Sequence, residues 1–258
     1  MSIESFEGNK QDVYHWKQHH EKTMETAMKL SWSSASASGF AAATAVTGFM
    51  FLGMPSVSFA QTGGACIPVS ERSTEYGCFV HAEQHLQGLP REPLFWHIDR
   101  FPNRTKAEAA LQTNGTVVEI LGQVWLFTIA GKAWRSSSGK HIASVGPLTL
   151  PVAKSFMATY MEGNFKPGMQ STVHRHPGTE AWFVLSGAQC LETPQGKQIG
   201  RPGAPPVIVP PGEPMLLTGI GKEQGHWLVL ILMDATMPHG LPAEDWTPGH
   251  ICEQAEAG

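Results

Sequence analysis

Residues 168–187 read GMQSTVHRHPGTEAWFVLSG. His174 and His176 are two apart. A strand points successive side chains to opposite faces, so both imidazoles share one face. Pro177-Gly178 is a turn dipeptide, and Glu180 enters the next strand four residues after His176. A hairpin here brings the carboxylate beside the two imidazoles. Two His and one carboxylate leave coordination positions open. That set is favoured by non-haem Fe(II) and tolerates Mn, Ni, Cu or Zn. Trp182 and Val184 share the parity of Glu180 and are expected on the same side. There they either give a pocket an apolar, aromatic wall or pack as plain core. Taken alone, a His-x-His pair is more often a surface hairpin with solvated imidazoles.

Outward from this hairpin the chain is a series of short apolar runs broken by Gly and Pro. Strands are expected near 142–149, 155–164, 170–175, 179–186, 188–193, 206–209, 215–220 and 226–233. Such spacing suggests a sandwich or barrel. The run from His226 to Met233 is apolar on both faces and is expected to be a central strand.

The hairpin resembles the first motif of the cupin family: Gly, five residues, His-x-His, three or four residues, Glu, six residues, Gly. Gly168, His174, His176, Glu180 and Gly187 fill every fixed position. A second motif should follow, with Pro-x-Gly, two residues and a His. Pro210-Pro211-Gly212 supplies its start, but Met215 stands at the His position and Gly219 at the position of the usual Asn. The resemblance covers residues 141–238. It implies a mostly β protein whose C-terminal part is a double-stranded β-helix, or jelly-roll barrel, with a divalent transition metal inside on His174, His176 and Glu180. Met215 would fill space beside that metal or serve as a soft thioether ligand, which suits copper better than iron. Two other readings stay open. The site is metal-free and uses its His and Glu for polar binding or acid–base work, or the motif is a structural relic. Buried ionisable groups are costly without a partner, which counts against the relic.

The organisation follows as an N-terminal extension and signal peptide (1–60), a small α+β region (61–140), the cupin barrel (141–238) and a C-terminal tail (239–258). Lys29 is a basic start, and GFAAATAVTGFMFLG (39–53) is an apolar centre. Pro55 follows, and Ser58-Phe59-Ala60 offers small residues before a cut. The apolar run is too short and too rich in Ala, Gly and Thr for a comfortable span, although an uncleaved anchor is the alternative. The signal begins at Met28, so translation is expected to start at Met28 or Met24. Export places the protein in the periplasm or outside the cell, where disulfides are permitted. Cys66 and Cys78 make the expected bridge, Cys252 competes for either, and Cys190 reads as a buried thiol.

Residues 61–140 resemble the corresponding part of exported cupin proteins, which adds no function. The first 31 of them (61–91) read as irregular, disulfide-tethered chain. A strand is expected at Leu94–Ile98, then a helix over 106–112 opened by a Thr105–Glu108 capping box, then strands at 116–121 and 123–129. After Pro238 the tail is expected to wrap the surface. His226 reads as a pocket-mouth or strand-end residue, while His81, His85 and His97 beside Asp99 lack ligand context.

Lys and Arg number 18 against 22 Asp and Glu, a net charge of −4 without a basic block. That excludes an obvious nucleic-acid binder. Hydrophobic residues make 41% of the chain and charged residues 16%, a balance that supports a packed core rather than general disorder. No phosphate loop, dinucleotide Gly pattern, nucleophile elbow or CxxC pair is present. The partners expected are a small-molecule ligand or substrate and, less specifically, a second copy in a homodimer. Two functions follow: a metalloenzyme that oxidises or isomerises a small organic molecule, or a metal-independent binding barrel acting as sensor or scavenger.

Overall fold

The computed structural model describes residues 62–63 and 66–253. The expected extension and signal peptide therefore lie outside the described residues. The elements, in chain order, are β1 (Thr62–Gly63), β2 (Ile67–Pro68), β3 (Gly77–Leu86), β4 (Leu94–Phe101), α1 (Arg104–Ala109), β5 (Gly115–Ile120), β6 (Gln123–Gly131), β7 (Lys140–Leu148) and β8 (Phe156–Phe165). They continue as β9 (Gln170–Ser171), β10 (His174–Arg175), β11 (Thr179–Ser186), β12 (Ala188–Thr193), β13 (Gly196–Gly200), β14 (Val207–Val209), β15 (Leu216–Ile220), β16 (Gly225–Asp234) and β17 (Leu241–Pro242). The protein is mostly β. Among the described residues, no helix is long and apolar enough to cross a membrane.

Three sheets stack through two cores. A six-stranded sheet, β14-β11-β16-β8-β3-β2, is the middle layer. Ala158, Tyr160, Ala181, Leu228, Leu230 and Leu232 project from one face of it. They pack against Trp96, Ile98, Phe127 and Ile129 of the four-stranded sheet β5-β6-β4-β7. The opposite face carries Met161, Trp182, Trp227, Val229 and Ile231, which meet Leu191 and Leu217 of the five-stranded sheet β1-β9-β15-β12-β13. This explains the unbroken apolar run of β16: it lies between β11 and β8, and both of its faces are covered. Each large side chain so buried contributes roughly 1.5–3 kcal/mol relative to exposure. Gly163 leaves room for the indole of Trp227, whose ring occupies the space a Cβ would need.

Several expectations need correction. Residues 61–91 are not irregular: β3 lies there and runs antiparallel to β8 with a bulge between Val80 and Ala82. Its apolar residues are Cys78, Phe79, Val80, Ala82 and Leu86, and their alternation is interrupted by Phe79 and Gln84. The helix starts two residues earlier than the capping box implied. Asn103 is the N-cap, and its side chain accepts from the Lys106 N–H. A strand at Gly196–Gly200 was missed because its sequence, GKQIG, is polar and flanked by glycine. Strand 170–175 is broken into β9 and β10. Cys190 is not a free thiol: it is bonded to Cys252, with S–S 2.03 Å, while Cys66 and Cys78 form the expected bridge at 2.10 Å. A cysteine in an apolar strand resembles a packed thiol until its distant partner is seen. Along residues 94–148 the hydrogen bonding crosses position 140, since β7 pairs with β4.

Candidate functional site

His174 lies in β10 and His176 just beyond it, while Glu180 is the second residue of β11. Gly178 makes the connecting turn tight, because a Cβ there would strike the Leu232 carbonyl and Met233 of β16. The three side chains line one cavity of about 440 Å³ between the six- and five-stranded sheets. That volume suits a small ligand. The imidazoles of His174 and His176 stand edge to face, with centroids 4.9 Å apart. His176 Nε2 is 3.8 Å from Glu180 Oε2. The rest of the wall is largely apolar, with Met161, Phe165, Leu217, Trp227, Val229 and Ile231.

Main-chain carbonyls set the tautomers. His174 Nδ1–H donates to Thr172 O at 2.7 Å, and His176 Nδ1–H donates to His239 O. A carbonyl can only accept, so each neutral ring keeps its lone pair on Nε2. This is the outer support usual for metal-binding His. Burial lowers the pKa of His174, and the nearby His176 adds to this. Burial also lowers that of His176. Glu180 is pushed up by burial, against the pull of His174 and the Trp182 indole. Its Oε2 has no hydrogen-bond partner. Two bare imidazole nitrogens and an unpaired buried carboxylate oxygen are thus turned to one space. As donors they fit a divalent transition metal. Their spacing is looser than a closed site: among the described residues, no three His, Cys, Asp or Glu side chains are close enough to hold an ion as they stand.

Met215 and Trp182 do not line the cavity and are corrected as pocket residues. Both are buried in the apolar cluster that supplies much of the cavity wall, and Trp182 packs on Trp227 at 6.3 Å between centroids. Met215 nevertheless sits opposite His174: the two exchange main-chain hydrogen bonds of 3.1 and 2.8 Å. Directly opposed residues in an antiparallel pair share a face. Position 215 is therefore the neighbour of His174, as the second motif requires. His226 opposes Asn164 and Ser186 and stays outside the lining. His81 pairs with the buried Glu162 at 3.0 Å.

The tail supplies what sequence reasoning missed. β17 pairs with β10, and His239, Gly240, Leu241 and Pro242 wall the cavity. His239 Nε2–H donates to Glu83 Oε1 at 2.7 Å and stands 3.2 Å from Thr159 Oγ1. The strap beyond it is fixed by an Arg175–Asp245 ion pair, by the Cys190–Cys252 bridge and by Glu192. The Glu192 carboxylate accepts from Gly249 N at 2.5 Å and Ile251 N at 3.0 Å. The tail was expected to wrap the surface, but its place in the cavity wall was not, and Cys252 was expected to compete for Cys66 or Cys78 and not for Cys190.

Facing β-sheets joined by the 168–187 hairpin, with its His and Glu turned inward and position 215 across from His174, are the arrangement the motif implies. The mostly β architecture is consistent with the jelly-roll barrel that the motif implies. Solved cupin structures are similar over part of it. A cupin superfamily protein from Desulfitobacterium hafniense DCB-2 is 18% identical, with TM-score 0.27, over 30% of this chain and 68% of that one. A cupin-like protein from Thermotoga maritima MSB8 is 17% identical, with TM-score 0.31, over 33% and 64%. A DMSP lyase from Ruegeria pomeroyi DSS-3 is 21% identical, with TM-score 0.30, over 33% and 43%. This chain thus spans about two thirds of the first two and less than half of the third. No family model and no curated protein matches the sequence.

Proposed function

We propose that the cavity binds a divalent transition metal (Fe, Mn, Cu, Ni or Zn) through Nε2 of His174 and His176 and the carboxylate of Glu180, and that it acts on a small organic molecule. The observation that carries this reading is the shared tautomer: backbone carbonyls take the Nδ1 protons of both imidazoles, so each keeps an unprotonated Nε2 in the cavity that Glu180 also lines, and that of His176 is 3.8 Å from the Glu180 carboxylate. A metal held there supplies Lewis-acid or redox chemistry to a substrate at its open positions. The protein's own part is to orient and to exclude water. The Thr172 and His239 carbonyls hold the rings. The strap from His239 to Pro242 narrows access. Apolar side chains such as Leu217 and Val229 receive the hydrocarbon part of the substrate. The two disulfides support a periplasmic or secreted setting.

A second reading is a metal-independent small-molecule-binding barrel. It is favoured by the 3.8 Å His176–Glu180 separation and the absence, among the described residues, of a ready three-ligand group. Thermal melting of chelator-treated protein separates the two. Addition of a divalent ion raises Tm under the first reading, because a ligand of the native state stabilises by mass action. Under the second, divalent ions do nothing and a small organic ligand raises it.

A further inference from the structure

On the far side of the four-stranded sheet, away from the barrel, His97 and Asp99 of β4 face outward between the core residues Trp96 and Ile98. Both are almost fully buried, at 0% and 1% exposure. Asp99 opposes His141 of β7, and His97 opposes Ser144. The side chains join in one chain. Asp99 Oδ1 accepts from His141 Nδ1–H at 3.0 Å, and His141 Nε2 lies 3.1 Å from Ser144 Oγ. Ser144 Oγ is also 3.0 Å from His97 Nδ1, and His97 Nε2–H donates to Gly131 O at 3.0 Å. Trp134 of the covering loop packs on the His97 ring, 5.0 Å between centroids.

Counting protons gives this cluster its chemical character. The Gly131 carbonyl fixes the His97 proton on Nε2, and the Asp99 carboxylate fixes the His141 proton on Nδ1. With both rings neutral, Ser144 has one proton and two imidazole lone pairs competing for it. Its oxygen then accepts from neither ring. A serine hydroxyl bonded to an imidazole whose other nitrogen is oriented by a buried carboxylate is the arrangement that activates serine nucleophiles. It is recognised by geometry, not by the order of residues in the chain. Asp99 has a second oxygen, Oδ2, without a hydrogen-bond partner, so its charge is not spread over other donors. His141 keeps a third of its side chain exposed, at 33%, and β7 is an edge strand, so solvent and a small substrate reach Ser144.

We propose that Ser144, His141 and Asp99 form a second reactive site, independent of the barrel, that accepts acyl groups from small activated esters. Ser144 Oγ bonds to the ester carbonyl carbon while its proton passes to His141 Nε2. The bond from that carbon to the alcohol oxygen breaks, and the alcohol leaves with the proton from His141. Water then attacks the acyl-serine by the same path, releasing the acid and restoring Ser144. Asp99 is a positioning residue acting through His141, while the His97 Nδ1 lone pair competes with His141 Nε2 for the Ser144 proton. The barrel cavity does not reach Ser144, and the substrates expected are unhindered esters with good leaving groups, not amides.

The test uses the full chain in a chelating buffer, so that any barrel metal is removed. Diisopropyl fluorophosphate labelling is mapped by mass spectrometry, and p-nitrophenyl acetate hydrolysis is followed in parallel. The proposal predicts label on Ser144 and a burst of p-nitrophenol. Both are lost in Ser144→Ala and slowed about 10²-fold or more in His141→Gln, the size usual for losing a general base. Asp99→Asn should slow labelling and move its pH profile, in a setting shared with His97 and Arg135. If Asp99→Asn does not fold, the more exposed His141→Gln variant carries the same test. Label on other residues, no label on folded wild type, or an unchanged rate in His141→Gln overturns the proposal.

Discussion

The Glu180 carboxyl is buried, one of its oxygens is unpaired, and its pKa is pushed up by desolvation. Such a group costs roughly 1–3 kcal/mol when left without a partner. Glu180→Gln is therefore expected to raise the melting temperature of metal-free protein at neutral pH while lowering metal affinity. A destabilised apo variant in calorimetry would show that the carboxylate is already satisfied. Position 215 gives a converse change. Met215 opposes His174, so Met215→His should add a fourth ligand and tighten metal binding about tenfold or more, measured by competition with a chromogenic chelator. Unchanged affinity would mean that the side chain at 215 does not turn toward the ligands. The motif residues were readable in the sequence because spacing along extended chain fixes which side chains share a face. The Asp99–His141–Ser144 chain was not, because it depends on which strands pair and in what register.

At the level of elements, the strap from His239 to Cys252 links stability to access. The Cys190–Cys252 bridge spans a sequence separation of 62 and closes a long loop, a constraint worth about 3–4 kcal/mol. Cys252→Ser is expected to lower unfolding free energy by that amount in denaturant titration. It should also speed metal loss to a chelator, since the freed strap carries the carbonyl that orients His176. Equal off-rates in wild type and variant would separate the strap from the site. The barrel strands were legible, with boundaries moved by one or two residues, because they alternate or are continuously apolar between Gly and Pro. β3 and β13 were not: β13 is mostly polar, and the alternation of β3 is interrupted by Phe79, Gln84 and a bulge. Their pairing is set by neighbouring strands and not by their own pattern.

In the whole molecule, a middle sheet buried on both sides explains the long apolar strands, and the buried titrating groups set the response to pH. Burial lowers the pKa of His97, His174 and His176 below the ordinary 6.5. The unfolded chain therefore binds more protons as pH falls through that value, and stability is lost there. Burial raises Glu162, but its His81 hydrogen bond and Arg72 charge outweigh this, so its pKa is lowered and a further loss follows in the carboxylate range. Glu180, raised, acts the other way: its cost grows as pH climbs above its unfolded value of 4.5. Metal-free protein should thus lose melting temperature from pH 7 to pH 5, and a flat profile would contradict the assignment of neutral, buried histidines. His174, His176 and Glu180 are proposed to hold one divalent metal. Elemental analysis of untagged protein, loaded with divalent ions and dialysed, tests it directly beside the His176→Ala variant. Near one equivalent in wild type and almost none in the variant is the predicted result. No metal in either would contradict the account and leave the barrel as a metal-independent binder.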